Sequence, residues 1–463
     1  MRGRLVVVLL LLAGPLAAQS RPTDARLDQL FASASGAAPG CALGVDSAGV
    51  GIIRRAWGMA NLELGVPATP TTIFEAGSVS KQVTAAAVHL LAARGQIGLG
   101  DDIRRWFPEL PGYDAPITIT HLLQHTSGLR DWGAIAELQG WPRGSRILEH
   151  RHVLDLIARQ RGLNHEVGAA YSYTNSGYSL LAMLVERVSG VSLAEFTRRE
   201  FFEPLGMTHT SWRDDFARVV PGRAQAYARR DSTWRLDMPF ENPHGHGGLL
   251  TTIDDLLRWN AAMSARRLGT PDVSAAMEVR GTLRDGTAIS YAGGLAYSGW
   301  GGVEEIGHSG ATAGYRAHLA RWPSLGISAV VLCGNASANA TVMLRQAVQP
   351  LVFKEPVVTT ATMNTAITTV TAPWQPDTAD YVGTWHSGEA DARWTIAAVA
   401  DTLVLARTAG ERVVLGRMEQ DRFRAGSLEL AFQRDTSGRI SGLLVSIPRA
   451  RNVSFQRVVS RGS

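Results

Sequence analysis

Strand-like segments lie at the two ends of the first 350 residues of this chain, and helix-like segments lie between them. Near the start, "CALGVDSAGVGIIRRAWG" from Cys41 reads as two strands around an Asp46–Gly49 turn. Far downstream, "GGVEEIGHSG", "GYRAHLARWP" and "GISAVVLCGN" read as three consecutive strands. Between them, an Ala-rich stretch predicts a helix from Lys81 to about Arg94, stopped at Gly95, and residues 101–270 are mostly helical pieces broken by Gly and Pro. A short helix, "DARLDQLFASASG", with Leu27, Leu30 and Phe31 on one face, precedes the first strand. Strands so distributed point to one antiparallel sheet built from both ends of a domain, with the helices inserted.

After this region the pattern changes. Residues 354–378 are rich in Thr and Pro with no period, as in a linker. From Ala379 come short alternating runs with turn signals, among them "RWTIAAV", "TLVLAR", "RVVLGRM" and "ISGLLVSI". Several short strands so close together predict a small antiparallel barrel or sandwich.

The N-terminus has the three parts of a secretory signal: basic "MRGR", apolar "LVVVLLLLAG" and small-residue "PLAAQS". Cleavage is expected near Ala18 and a periplasmic or secreted location follows. The apolar run is too short to span a membrane, and no later segment reaches about 18 uninterrupted apolar residues. Arg2 and Arg4 of this segment account for two of the +5 net charge. No Lys/Arg-rich block marks a nucleic-acid face. Of the two cysteines, Cys41 and Cys333, both sit in apolar strand-like runs. Export permits a disulfide, and two buried thiols are equally compatible with the pattern.

Lysine is rare here. The chain has 46 Lys plus Arg, and only Lys81 and Lys354 are lysine. Ser78 precedes Lys81 by three residues at the start of the expected helix, so the two side chains share a face. A serine hydroxyl becomes a nucleophile with a base beside it. A lysine whose pKa is lowered can be that base, whereas arginine does not deprotonate. A structural cation beside a helix N-cap is the plainer alternative, so the partners of the pair decide.

Partners follow. "YSYTNSGY" places Tyr173 and Asn175 where both can face one cleft, a phenol to share a proton and an amide to hold a carbonyl. "EIGHSGATAGY" places His308, Ser309 and Gly310 on a strand whose edge can donate a backbone N–H to an oxyanion. Together, "FEAGSVSKQ", "LLQHTSGL", "YSYTNSGYSLL", "HGGLLTTIDDLLRW" and "GHSGATAGY" resemble, in order, the serine β-lactamase and penicillin-binding-protein superfamily. The likeness is greatest to its class C-like branch, which includes D-Ala-D-Ala carboxypeptidases, D-aminopeptidases and esterases.

That resemblance implies an α+β fold: a five-stranded antiparallel sheet flanked by helices, with an all-helical subdomain, over residues 25–350. A signal peptide (1–18), a linker (351–376) and a small β-barrel (377–463), like the one appended to some of these hydrolases, complete the chain. The resemblance implies Ser78 as the acylated nucleophile, Lys81 as its general base and Tyr173 as proton relay. It implies Asn175, His308, Ser309 and Gly310 as substrate contacts, and the N–H groups of Ser78 and Ala311 as the oxyanion hole. His308 stands where many members have lysine, as in the esterase and aminopeptidase members. At an ordinary pKa it would gain charge between pH 8 and 6, with Arg316 and Arg321 as other candidates to read a carboxylate.

The expected function is an exported serine hydrolase acting on an amide or ester of a small molecule or peptide, without metal or cofactor. A true class C-like β-lactamase, a D,D-carboxypeptidase or D-aminopeptidase, and a penicillin-binding sensor without turnover are the alternatives. His121 and His125 are spaced for zinc on a helix, but Leu122 stands where a zinc hydrolase carries its glutamate; His244 and His246 are two apart. No G-x-S-x-G elbow suggests an α/β-hydrolase.

Overall fold

The computed structural model describes residues 22–141, 144–353, 378–407 and 410–458. The expected signal peptide lies outside these residues, as does the expected linker from residue 354 onward; its first residues, Leu351 and Val352, end a helix.

The sheet forms from both ends of the domain, as the strand distribution requires. Strands β1 (Cys41–Ser47) and β2 (Val50–Trp57) make the early hairpin. Strands β3 (Ala296–Trp300), β4 (Val303–Thr312), β5 (Tyr315–Trp322) and β6 (Ile327–Cys333) come late. The order is β3-β4-β5-β6-β1-β2, and each neighbouring pair is antiparallel. The sheet therefore has six strands where five were expected. The added edge strand, "AYSGW", is short and contains a glycine, so it carries no clear alternation of its own.

Period-2 alternation divides the sheet's side chains between two cores. Val330 and Leu332 face the larger helical core, whereas Ala329, Val331 and Cys333 face the helix Ala340–Val352. Register puts Cys41 directly opposite Cys333, and the two form a disulfide that closes the alternative left open by the sequence. The bond ties the first strand of the sheet to the last across 292 residues.

Helix α1 (Ser80–Ala93) is buried for almost its whole length, which its run of small and apolar residues permits, and it ends before Gly95 at φ +72°. It packs against α3 (Asn175–Ser189). That helix starts at Asn175, because Thr174 caps it by accepting a hydrogen bond from the Ser176 N–H. Between them in sequence is α2 (Trp132–Leu138), capped by Asp131.

The tail is a closed eight-stranded antiparallel barrel, Gly383–Ser387 through Ala450–Arg457, whose first strand pairs with its last. Its interior is filled by Trp385, Trp394, Phe423, Phe432 and Phe455. The barrel packs on the helical region: Ile135 and Leu138 of α2 join the barrel's apolar cluster, and the Trp394 indole donates to the Leu138 carbonyl at 2.9 Å.

Candidate functional site

Ser78 sits in a single 3₁₀ turn, Gly77–Val79, that leads directly into α1. Lys81, in the first turn of α1, is fully buried. Its Nζ lies 3.3 Å from Ser78 Oγ, 2.9 Å from Asn175 Oδ1 and 2.6 Å from the His246 carbonyl oxygen. Burial drives the lysine well below its ordinary pKa, and the Arg449 guanidinium pushes the same way; Asp131 opposes both. A neutral amine has two hydrogens and one lone pair. The amide oxygen and the carbonyl take the two hydrogens, which leaves the lone pair to the Ser78 hydroxyl. The arrangement can accept the serine's proton.

Tyr173 is held by His125. The His125 carbonyl accepts from the Ser172 N–H at 2.9 Å, and its Nδ1 accepts from the Thr174 N–H at 3.3 Å, so both neighbours of Tyr173 are pinned. The Tyr173 hydroxyl is buried beside Ser78, without a hydrogen bond of standard geometry between them. Burial raises its pKa strongly; the Ser78 hydroxyl and Arg449 reduce that effect. A phenol held protonated suits a proton donor better than a base. Asn175 donates its backbone N–H to Asp131 Oδ2 at 2.6 Å and commits its amide oxygen to Lys81, leaving its amide nitrogen for the cavity that it lines.

Strand β4 runs against the turn that carries Ser78. A Cβ on Gly310 would meet the Ala76 carbonyl oxygen at 2.0 Å, and one on Gly77 would meet the Ala311 nitrogen at 2.6 Å. The two glycines permit this approach, which sets the backbone of Ala311 beside that of Ser78. His308 is buried. Its Nδ1 lies 2.6 Å from the Ser309 carbonyl and its Nε2 3.0 Å from the Tyr291 hydroxyl. A carbonyl only accepts, so Nδ1 carries the hydrogen and Tyr291 donates to Nε2. Burial first, then the Lys81 charge, lower His308 to about 3. The expectation that it gains charge between pH 8 and 6 is therefore corrected. Arg316 lines the cavity, whereas Arg321 turns to Glu278 and away from it.

Ser78, Tyr173, Asn175, His308, Ser309, Gly310 and Ala311 thus meet around one cavity of about 850 Å³, with Lys81 beneath. Residues to which the sequence reading gave no part in this site complete it: the His246 carbonyl, Asp131, His125, Tyr291 and Arg449. His246 had drawn attention only for its spacing from His244; its ring instead bonds Ser179 Oγ through Nδ1 at 3.0 Å. His121 belongs to a helix-capping box, with its Nδ1 accepting from the Thr118 N–H.

Arg449 comes from the barrel. It lies in the two-residue turn between strands Ile440–Ile447 and Ala450–Arg457. Its carbonyl accepts from the Asp131 N–H at 2.9 Å and from Asn164 Nδ2 at 3.1 Å. Arg130 holds the start of the following strand through the carbonyls of Arg451 and Asn452, at 2.9 Å each.

An antiparallel sheet built from both ends of the domain, helices on both faces and a Ser-x-x-Lys pair at the mouth of a buried helix define the β-lactamase/transpeptidase-like class. The Beta-lactamase family model matches residues 25–348, and the chain belongs to that family. A D-aminopeptidase of Gluconobacter oxydans is 30% identical over 306 residues, 65% of this chain and 56% of the relative. Penicillin-binding protein 4* of Bacillus subtilis is 30% identical over 302 residues, 58% of this chain and 62% of the relative. The chain thus matches little more than half the length of these curated relatives. The octameric penicillin-binding protein homologue from Pyrococcus abyssi shares the fold through the barrel: TM-score 0.62, 21% identity, over 94% of this chain and 99% of that one.

Proposed function

We propose that this protein is an exported serine hydrolase that cleaves an amide of a D-amino acid through an acyl-enzyme on Ser78. The observation that carries the reading is the lysine: buried, with both hydrogens of its neutral form engaged by Asn175 and His246 and its lone pair left to Ser78. The serine proton passes to Lys81 as Oγ bonds to the substrate carbonyl carbon. The resulting oxyanion is met by the N–H groups of Ser78 and Ala311. Tyr173 gives its proton to the leaving nitrogen as the carbon–nitrogen bond breaks, and recovers one from Lys81. Water then attacks the ester and returns the serine. The choice of a D-amino acid amide is supported by the D-aminopeptidase relative, and export by the composition of the N-terminus.

A second reading, a β-lactamase or D,D-carboxypeptidase, draws on Arg213, Arg316 and Arg449, which line the cavity and suit a substrate carboxylate. A panel of D- and L-aminoacyl amides, p-nitrophenyl esters and a chromogenic cephalosporin separates the two, with Ser78→Ala as control. Preferred hydrolysis of the D-aminoacyl amides is expected. Faster cephalosporin turnover favours the second reading. Covalent labelling of Ser78 without turnover on any substrate points to a sensor, and the absence of labelling by a fluorophosphonate overturns the mechanism.

A further inference from the structure

A second cavity, of about 450 Å³, opens beyond Tyr173. It shares Tyr171, Tyr173, His308 and Ser309 with the cavity that holds Ser78, so the two spaces meet across the Tyr173 ring and the start of the Ser309–Ala311 edge. Their linings differ in kind. The nucleophile's cavity carries Arg213, Glu241, Arg316 and Arg449. Among the described residues, the second has no Asp, Glu, Lys or Arg in its wall. Its other members are Ile289, Ser290, Tyr291 and Ala296, and its histidine, His308, is held neutral. The rings of Tyr171 and Tyr291 stand 5.8 Å apart at an interplanar angle of 46°, and Tyr291 spends its hydroxyl on His308. These two tyrosines therefore present ring surface to the space between them.

We propose that this cavity binds the substituent on the leaving amine, and that the substituent is an uncharged aromatic or branched apolar group. The assignment rests on the acyl-enzyme reading above, in which Tyr173 protonates the leaving nitrogen. That nitrogen must come within hydrogen-bond reach of the Tyr173 hydroxyl. Whatever it carries then extends past the Tyr173 ring into the uncharged space. The acyl half stays over Ser78 and Ala311, among the arginines. A charged substituent would exchange water for a wall that offers it no counter-charge. An aromatic one would find the offset and edge contacts that such rings favour.

The test varies only the amine. D-Alanine is presented as its methylamide, isobutylamide, benzylamide and glycine amide conjugate with a free carboxylate, alongside D-phenylalanine methylamide, which puts the ring on the acyl side. The benzylamide and isobutylamide should exceed the methylamide in kcat/KM by at least about ten-fold, since even one methylene in an apolar pocket is worth about that much. The carboxylate should fall below it. Ile289→Trp, which fills the cavity without touching the Ser78 machinery, should remove the benzylamide advantage while D-alanine methylamide is cleaved as before. Ile289→Asp should shift the preference toward amines that bear a second, cationic group. Equal rates across the amines, or an Ile289→Trp effect confined to D-phenylalanine methylamide, overturns this assignment while Ser78 still labels with a fluorophosphonate and the methylamide is still cleaved. Loss of labelling and of all cleavage in the wild-type protein overturns the hydrolase reading, and this one with it.

Discussion

The guanidinium carbon of Arg449 stands 5.2 Å from the centre of the Tyr173 ring, so a residue of the C-terminal barrel faces a catalytic candidate of the other domain. Its charge lowers Lys81 and works against the upward shift of Tyr173. Arg449→Ala should therefore raise Lys81 and move the acid limb of the kcat/KM profile to higher pH. If the shift is about one pH unit, the rate below the midpoint falls about ten-fold. Arg449→Lys keeps the charge and should restore most of it. An unchanged profile in Arg449→Ala would show that the barrel's turn has no electrostatic hold on the site.

Asp131 makes the opposite test. Its carboxylate raises Lys81, accepts the Asn175 N–H and caps α2. Asp131→Asn keeps an acceptor oxygen and removes the charge, so the acid limb should move to lower pH. A profile that moves in the same direction as in Arg449→Ala would mean that both variants act through a loosened turn rather than through charge.

Lys81→Arg keeps a cation and loses the base. General-base loss of this kind is worth about 10²–10⁴ in rate, so kcat/KM should fall by at least about 10²-fold while the melting temperature stays near that of the wild type. An arginine variant with near wild-type activity would end the mechanism.

What the sequence made legible and what it hid divide along a physical line. Ser78 and Lys81 are three residues apart, and Tyr173 and Asn175 two apart, so local geometry alone brings each pair onto one face. The β1 and β6 patterns likewise predicted a common sheet, though not that Cys41 would land opposite Cys333, which depends on register. His246 acts through a backbone carbonyl, which leaves no trace in residue identity. Arg449 is one arginine in a chain that uses arginine everywhere, and only the docking of the barrel turn on Asp131, Asn164 and Arg130 gives it a role. Composition likewise marked a boundary near residue 351 without revealing that Ile135 and Leu138 pack against the barrel.

Buried histidines should set the acid limit of the fold. Burial lowers His89 to about 4 and is the first cause that lowers His244 and His308 to about 3, below the ordinary value near 6.5 of an unfolded chain. Below that value the unfolded state binds the extra protons, so stability is fully present above about pH 6.5 and falls as the pH drops toward 4. Each such histidine removes up to about 1.4 kcal/mol per pH unit in this window. The melting temperature should fall steadily between pH 7 and 5. His89→Leu, which removes a group shifted by burial alone, should flatten the slope by up to one proton's worth. A melting temperature that is level over this range would mean that these rings are hydrated.

The last prediction concerns how the site reads a carboxylate. A histidine at the position of the family's lysine invites a pH-dependent preference, because an exposed imidazole charges between pH 8 and 6. His308 is not exposed. Its Nδ1–H is given to the Ser309 carbonyl, its Nε2 accepts from Tyr291, and Lys81 lies close enough to lower it further. At about 3, it stays neutral across the whole range. Permanent charge in the cavity comes instead from Arg213, Arg316 and Arg449. Arg213 is held by Glu75 at 2.9 Å and Arg316 by the Ala313 and Tyr315 carbonyls at 2.7 Å each, and arginine keeps its charge throughout this range. The ratio of kcat/KM for a cephalosporin to that for an uncharged p-nitrophenyl ester should therefore be flat from pH 8 to 6. Arg316→Gln should lower it, by about 10–100-fold if a charged hydrogen bond to the carboxylate is lost in the transition state. A ratio that rises as the pH drops, and loses that rise in His308→Gln, would place a protonated His308 at the carboxylate and reverse the assignment.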